Sequence, residues 1–170
     1  MNKILSLAMG LGLAVALPVN ALVVELADPA WDGEKIPQGM QCQKFGGEGP
    51  RTPALMISDI PENTNLLIFE YSDESHKPMD NGGHGKFGYA LNESVTKQWV
   101  PQVSGHSFEL PKGFFMIEQH RNPAWDKAGA YMPPCSGGRN NLYYVTVKAA
   151  QLKDDGVTIK ATQRLDLGRY

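Results

Sequence analysis

Residues 131–147 read YMPPCSGGRNNLYYVTV, a loop rich in proline and glycine that runs into an apolar, strand-like segment. The prolines fix the backbone angle φ, and the paired glycines Gly137 and Gly138 accept a positive φ and let a ligand approach the backbone N–H groups. Arg139 places a planar cationic guanidinium directly after them. This pattern is typical of an anion-binding rim at a sheet edge, although a sharp loop before a core strand explains the same residues.

Outside this segment the chain is patterned as short strands separated by turns, which predicts a mainly β fold. Leu66–Tyr71 is largely apolar without alternation, so we expect it to be central in its sheet and buried on both faces. His84–Leu91 contains glycines, which let another group pack closely on a strand. Tyr143–Ala149 and Val157–Ala161 alternate and are predicted to be half-buried strands, and a short helical turn is predicted at 148–152.

The first 21 residues have the pattern of a bacterial secretory signal peptide. Lys3 precedes an apolar run, Ile4–Leu17, that is shorter than the ~20 residues needed to span a bilayer, and Val19 and Ala21 suit a signal peptidase. Cleavage near Ala21 is expected to leave residues 22–170 as one domain without a transmembrane segment, in the periplasm or secreted. A retained membrane anchor is the alternative.

Composition and motifs exclude several classes of function. The formal net charge of −2 provides no basic footprint for nucleic acid or for a membrane surface, so any anion must be bound by a few local groups. The sequence contains no phosphate-binding glycine loop that opens a helix and no nucleophile elbow. We therefore predict a protein that is not an enzyme and that carries no cofactor.

Four polar residues, Asp73, His76, Asp80 and His84, crowd one loop between two predicted strands. Three chemistries fit them: a metal site, acid and base catalysis, or recognition of an anionic head group in which Asp73 orients His84 as a donor. A solvated loop with one satisfied histidine is the fourth interpretation. Because the two histidines match no specific metal-ligand spacing, no metal is predicted here.

Cys42 and Cys135 are the two cysteines of the chain. Export would place them in an oxidising compartment, where such a pair is usually joined in a disulfide. Two free thiols, or a reactive Cys135 beside the glycines, are the alternatives.

With these residues in view, the chain resembles the phosphatidylethanolamine-binding protein family, which includes Raf kinase inhibitor protein, and in particular its bacterial exported branch. The likeness spans nearly all of residues 22–170 and depends on the order and spacing of several short motifs. These are Ile36-Pro37 with Gln41-Cys42, Thr52-Pro53-Ala54-Leu55 with Ser58 and Ile60-Pro61-Glu62-Asn63-Thr64, Tyr71-Ser72-Asp73, Gly83-His84, Tyr131-Met132-Pro133-Pro134-Cys135, and Leu165-Asp166-Leu167-Gly168-Arg169-Tyr170.

The resemblance implies two antiparallel β-sheets with a few short helices and a shallow anion-accepting pocket near one end. Carried over residue by residue, it proposes Asp73, His84, Tyr131 and Pro134 as pocket residues. The sequence also departs from the family pattern. These departures are Tyr71 and Ser72 in place of the Asp-Pro of the Asp-Pro-Asp motif, Gly83 in place of the tryptophan before the histidine, and Asn141 in place of a second histidine. Arg139, beside Gly137 and Gly138, is the cation that compensates for these changes in our interpretation.

The predicted function is that of a binding protein for a small anionic or phosphorylated ligand similar to a phospholipid head group. A protein-interaction module, such as an inhibitor of a protease or of a signalling protein, is the alternative, and a weak metal-dependent hydrolase on Asp73, His76 and His84 is a third. The polar and aromatic loop 119–126 is a candidate edge of a cleft. Trp125 and Trp99 on one flat face would favour a partner protein, whereas tyrosines around a concavity would favour a ligand.

Overall fold

The computed structural model describes residues 21–92 and 94–170, so the predicted signal peptide lies outside the described residues except for Ala21. Within these ranges the chain forms eight strands and two single-turn 3-10 helices, Gln43–Phe45 and Lys77–Met79. The strands are β1 (Val23–Leu26), β2 (Leu55–Ser58), β3 (Leu66–Asp73), β4 (Gly85–Ala90), β5 (Lys97–Val100), β6 (Phe114–Glu118), β7 (Leu142–Lys153) and β8 (Gly156–Arg169). Among the described residues, no helix has the length and apolar character needed to cross a membrane.

The strands form two antiparallel sheets, with the order β1-β2-β5 in the small sheet and β6-β4-β3-β7-β8 in the large one. This confirms the predicted mainly β architecture with two antiparallel sheets and only short helices. Strand β3 lies between β4 and β7, as its unbroken apolar sequence predicts. Leu67 and Phe69 on its core face are fully buried, but Ile68 and Glu70 on the other face are only partly buried, so the expected burial on both faces is incomplete.

The core lies between the inner faces of the two sheets. Leu55 and Ile57 of β2 pack in one buried cluster with Phe69, Phe87 and Val147 of the large sheet, and all five are completely excluded from solvent. Burying a side chain of this kind stabilises the fold by ~1.5–3 kcal/mol relative to leaving it exposed. The inward residues alternate with more exposed ones on β2, where period-two patterning gives one buried face.

Strand β7 continues through Lys148–Leu152, so the helical turn predicted there is wrong. Alanine has the highest helix propensity of any residue, which favours a turn in an isolated peptide. In the protein, however, Ala149 and Ala150 pair with Leu67 and Leu66 of β3, and both alanines are completely buried. Sheet pairing with a distant strand outweighs the local preference.

The prediction that Val157 and Ile159 lie on a buried face is also wrong, because these side chains are 50% and 46% exposed. The cause is a shift in the pairing of β7 with β8: Ala149 pairs with Ala161, but Ala150 pairs with Ile159. One extra residue of β8 is therefore accommodated there, and the side chains before it are turned away from the core.

Replacing Ile159 with lysine is expected to change the free energy of unfolding by less than about 1 kcal/mol, because the side chain is already solvated. The matched variant Val147→Lys, on the buried face of β7, is expected to prevent folding or to cost several times more. Urea unfolding followed by circular dichroism measures both. A loss for Ile159→Lys comparable to that for Val147→Lys would contradict the exposed position.

A disulfide bond joins Cys42 to Cys135, whose Cα atoms lie 5.2 Å apart, and it confirms the predicted pairing over the free-thiol alternatives. Both residues are buried and pack with Met79 and Met132 in a small second cluster. The backbone N–H of Cys42 also donates to the carbonyl of Pro134 at 2.9 Å. The loop that leads into β7 is thus held to the first 3-10 helix next to the predicted rim.

Candidate functional site

The candidate site lies at the edge of the large sheet where β3 ends and where β4 and β7 begin. Strand β3 is antiparallel to both neighbours, so its end lies beside their first residues. Asp73 pairs with Tyr143 of β7, and Tyr71 pairs with Gly85, the residue of β4 that follows His84. A cavity of about 370 Å³ is found here. Its lining residues are Asp73, Ser75, His76, Met79, His84, Asn122, Trp125, Met132, Cys135, Ser136, Arg139, Asn141 and Tyr143.

Asp73 is 3% exposed, and its carboxylate accepts hydrogen bonds on both oxygens. The backbone N–H of Ser75 donates to Oδ1 at 2.9 Å, and the side-chain amide of Asn141 donates to Oδ2 at 2.7 Å. Burial raises the pKa of Tyr143, and the nearby Asp73 carboxylate raises it further, so Tyr143 remains a neutral phenol. The carboxylate is therefore held rigidly at the floor of the cavity by donors from two segments of the chain.

His84 is a neutral hydrogen-bond acceptor in this site. Its Nδ1 lies 2.6 Å from the carbonyl oxygen of Met132, and because a carbonyl can only accept, Nδ1 carries the proton and donates it. Burial is the main cause that lowers the pKa of His84 from 6.5 to about 4, so the ring is neutral at pH 7. The remaining nitrogen, Nε2, then offers a lone pair rather than an N–H.

This arrangement differs from the predicted one in two ways. The carbonyl of Met132, and not the carboxylate of Asp73, orients the His84 ring. The His84 ring is further held by edge-on packing against Tyr143, with the ring centroids 5.3 Å apart. The second difference is the hydrogen-bonding role of the ring. At neutral pH Nε2 of His84 can therefore accept but not donate a hydrogen bond, whereas the sequence predicted a donor.

Arg139 supplies the free positive charge at the rim of the cavity. Its guanidinium forms none of the salt bridges found among the described residues, and the side chain is exposed. The loop that carries it turns sharply, because Gly137, Gly138 and Asn140 have φ angles of 69°, 77° and 63°. Asparagine and glycine are the residues that adopt this left-handed conformation most readily. The turn presents Arg139 to solvent and to the cavity together.

Trp125, in the loop before β7, forms a wall of the cavity and is 40% exposed. Its indole N–H donates to the carbonyl of Cys135 at 3.2 Å, and the Nζ of Lys44 lies 3.4 Å from the ring centroid. Asn122, from the same loop, also lines the cavity. These positions support the prediction that loop 119–126 forms the edge of a cleft.

The neighbouring Asp126 anchors this loop to the body of the protein. Its carboxylate lies 3.2 Å from Nε2 of His106, both side chains are only 5% exposed, and the backbone N–H of Lys44 donates to it at 3.3 Å. His120 of the same loop is buried, with Nε2 3.1 Å from the carbonyl of Lys127, and burial lowers its pKa. The hydrogen bonds of Asp126 and His120 therefore hold the wall that carries Trp125.

Of the eight predicted ligand-binding residues, four line the cavity together: Asp73, His84, Arg139 and Asn141. Tyr131, Pro134, Gly137 and Gly138 are not among the lining residues. Tyr131 is 2% exposed, and its ring packs edge-on against Tyr71 in the core, with centroids 5.2 Å apart. Burial raises the pKa of its phenol. Tyr131 is thus a core residue, and Gly137 and Gly138 form the turn that precedes Arg139.

The departures from the family pattern have structural explanations. A Cβ atom at Gly83 would lie 2.4 Å from the Cα of Met79, so no side chain fits where the family has tryptophan. Ser72 accepts a hydrogen bond from the backbone N–H of Gly82 at 2.8 Å, which holds the loop before β4. Tyr71 lies in the core. None of these three departures lines the cavity.

Asp73, His76 and His84 all line the cavity, but Asp80 does not. Asp80 accepts a hydrogen bond from the hydroxyl of Tyr144 instead. In the described part of the chain, the ligand atoms that come within 4.8 Å of one another belong to Cys42, Asp126 and Cys135, and both sulfurs are used by the disulfide. The residues of the proposed hydrolase site are not brought together in this way.

The sequence did not identify Tyr143, Met79 or Met132 as residues of the site. Tyr143 was assigned to a buried strand face, and its position opposite Asp73 follows from the pairing of β3 with β7, which the local pattern does not specify. Met132 could have been identified from the sequence, because it directly follows Tyr131 in the segment that carries the resemblance.

Comparison with solved structures identifies the fold. The chain is similar to YbcL of E. coli, described as a new member of the mammalian PEBP (phosphatidylethanolamine-binding protein) family, with a TM-score of 0.55, 21% identity, and coverage of 89% of this chain and 98% of that chain. It is also similar to CT736 of Chlamydia trachomatis, a putative PEBP homolog, with a TM-score of 0.48, 22% identity, and coverage of 89% and 97%. No protein-family model and no curated protein matches the sequence. The similarity to YbcL shows that the chain has the fold of phosphatidylethanolamine-binding proteins.

Proposed function

We propose that the protein is a non-enzymatic binding protein that holds a small anionic or phosphorylated ligand, similar to a phospholipid head group, in the cavity between Asp73 and Arg139. The observation that carries the proposal is the exposed guanidinium of Arg139 at the rim of a cavity, without a salt bridge to any described residue. An arginine with free N–H groups binds phosphate or carboxylate oxygens in a bidentate manner.

The polar groups opposite Arg139 favour a ligand that also carries hydrogen-bond donors. Asp73 is an acceptor, and His84 presents a lone pair at neutral pH. A phosphate placed directly against these two groups would meet like charge and unmatched acceptors. A head group with its phosphate at Arg139 and an ammonium or hydroxyl group near Asp73 and His84 satisfies both sides of the cavity.

The same contacts support a role in binding rather than catalysis. Both oxygens of Asp73 are occupied by donors from within the protein, and the pKa of His84 at about 4 makes it a weak base. The serines that line the cavity, Ser75 and Ser136, have no imidazole as a hydrogen-bond partner: Ser75 Oγ accepts from the N–H of Leu142, and Ser136 Oγ donates to the carbonyl of Tyr170.

Replacing Arg139 with alanine is expected to weaken the binding of inorganic phosphate or phosphoethanolamine about tenfold or more, because charge-assisted hydrogen bonds contribute ~1.5–3 kcal/mol. Titration of the 15N-labelled protein should also shift the amide resonances of Gly137 and Gly138 in the wild type. Isothermal titration calorimetry measures the affinities. Lys160→Ala is the matched control. It also removes one exposed positive charge, but from a position on β8 that does not line the cavity.

If the wild-type protein shows no amide shifts up to millimolar ligand, the proposed function is wrong. If Arg139→Ala and Lys160→Ala weaken binding equally, the effect is one of net charge, and Arg139 is not the anion-binding group.

The predicted export is part of this proposal. The signal-peptide pattern of residues 1–21 and the disulfide of Cys42 with Cys135 both suit an oxidising compartment. Expression of the full chain in a bacterium with N-terminal sequencing of the periplasmic fraction tests it, and recovery of an uncleaved chain in the cytoplasm would contradict it.

A second candidate function is the binding of a partner protein, and the apolar surface of the β7–β8 hairpin favours it. Leu152, Val157 and Ile159 are each about half exposed. Trp125 lines the cavity, whereas Trp99 on β5 does not. Because Tyr143 and Trp125 line a concavity, a small ligand remains the first proposal.

A further inference from the structure

We infer that the open face of the Trp125 ring stacks on a planar, apolar substituent of the bound anion, so that an aryl phosphate is preferred over an alkyl or cycloalkyl phosphate of similar size. This inference rests on the proposed function, since it assigns a ligand class to the same cavity. It concerns Trp125, a residue of the predicted cleft edge in the loop between β6 and β7, which does not belong to the core cluster.

The Trp125 ring is held in one orientation before any ligand binds. The indole N–H donates to the carbonyl of Cys135 at 3.2 Å, which fixes the edge of the ring. The Nζ of Lys44 lies 3.4 Å from the ring centroid and also donates to the Trp125 carbonyl at 3.2 Å. A large aromatic side chain that is 40% exposed but fixed in this way loses little conformational entropy when a ligand stacks on it.

The two faces of the ring differ. Lys44 covers one face and is not among the residues that line the cavity, whereas Trp125 is. The face away from Lys44 is therefore the one available to a ligand. A cation already bound to one face disfavours a second cation on the other, because both draw on the same ring quadrupole. The open face consequently suits a neutral aromatic ring better than a ligand ammonium group.

The cavity also has apolar lining residues that suit an aryl group. Met79 and Met132 line the same cavity and are 4% and 2% exposed. Methionine sulfur makes favourable contacts with aromatic rings and adapts to irregular shapes. Arg139, which would hold the phosphate, lines the same cavity. A ligand that carries both a phosphate and an aryl group therefore matches the charged and the apolar lining residues.

The test compares three monoesters, methyl phosphate, cyclohexyl phosphate and phenyl phosphate, by isothermal titration calorimetry with the purified wild-type protein. Phenyl and cyclohexyl groups have similar size, but only phenyl is planar. We expect phenyl phosphate to bind at least about fivefold more tightly than cyclohexyl phosphate, the lower range for stacking on a protein aromatic ring. Trp125→Leu, which keeps an apolar side chain of substantial volume, should bring this ratio close to one, whereas Trp99→Ala should leave both the ratio and the affinity for methyl phosphate unchanged.

Equal affinities of the wild type for phenyl and cyclohexyl phosphate would overturn the inference while leaving the proposed function intact. A Trp125→Leu variant that keeps the preference for phenyl over cyclohexyl phosphate would also overturn it, because the preference would then arise elsewhere in the cavity. If no monoester binds the wild type, the proposed function fails and the inference fails with it.

Discussion

Removal of the disulfide through the double substitution Cys42→Ala and Cys135→Ala is expected to lower the free energy of unfolding by about 2–5 kcal/mol. The bond joins residues that are 93 positions apart, so it restricts a large part of the unfolded chain. It also fixes the loop before β7 to the segment around the first 3-10 helix, where few strand contacts hold either one. Alanine is the better replacement because both positions are buried among apolar neighbours, where a serine hydroxyl would add an unsatisfied polar group.

Urea unfolding under non-reducing conditions measures the difference, and a reductant serves as the internal control. The reductant should destabilise the wild-type protein by a similar amount and leave the double variant unaffected. A domain of this size is expected to lose roughly 2–4 °C in Tm for each kcal/mol. Unfolding midpoints that coincide for the wild type and the variant would show that the noncovalent contacts of the loop already suffice.

The parts of the fold that were predicted correctly depend on local patterns. The unbroken apolar run of Leu66–Tyr71 marks a central strand, and β3 has this position, although its second face is only partly buried at Ile68 and Glu70. The glycine in β4 marks a close approach, since a Cβ at Gly88 would lie 2.1 Å from the ring of Phe115. The incorrect predictions at 148–152 and at Val157 and Ile159 concern pairing register, which depends on a distant strand and on one extra residue.

The candidate site was likewise predicted only as far as local sequence patterns define it. Asp73 and His84 flank one loop, and Arg139 and Asn141 belong to the segment before β7, so the sequence places each pair on a short stretch. What joins the two pairs is the pairing of β3 with β7 over a separation of about 70 residues. The hydrogen bond that His84 Nδ1 donates to the Met132 carbonyl also crosses between loops, and it decides which nitrogen carries the proton. No local pattern specifies such a contact.

Acidification from pH 7 towards pH 4 is expected to reduce the free energy of unfolding by about 3 kcal/mol through His84 alone. Burial holds the pKa of His84 at about 4 in the folded protein, whereas an unfolded chain titrates near 6.5. Above pH 6.5 the ring is neutral in both states, and no difference arises. Between 6.5 and 4 the unfolded state binds a proton that the folded state does not, so unfolding becomes more favourable as the pH falls.

The variant His84→Asn isolates this contribution, because the asparagine amide can still donate to the Met132 carbonyl but does not titrate. Burial also lowers the pKa of His120, which acts in the same direction, but His120 is present in both proteins and cancels in the comparison. Urea unfolding at several pH values between 7 and 4 should show that the wild type loses stability more steeply than the variant. Parallel pH profiles would mean that His84 is already charged or solvated in the folded protein, and its role as a neutral acceptor in the cavity would be wrong.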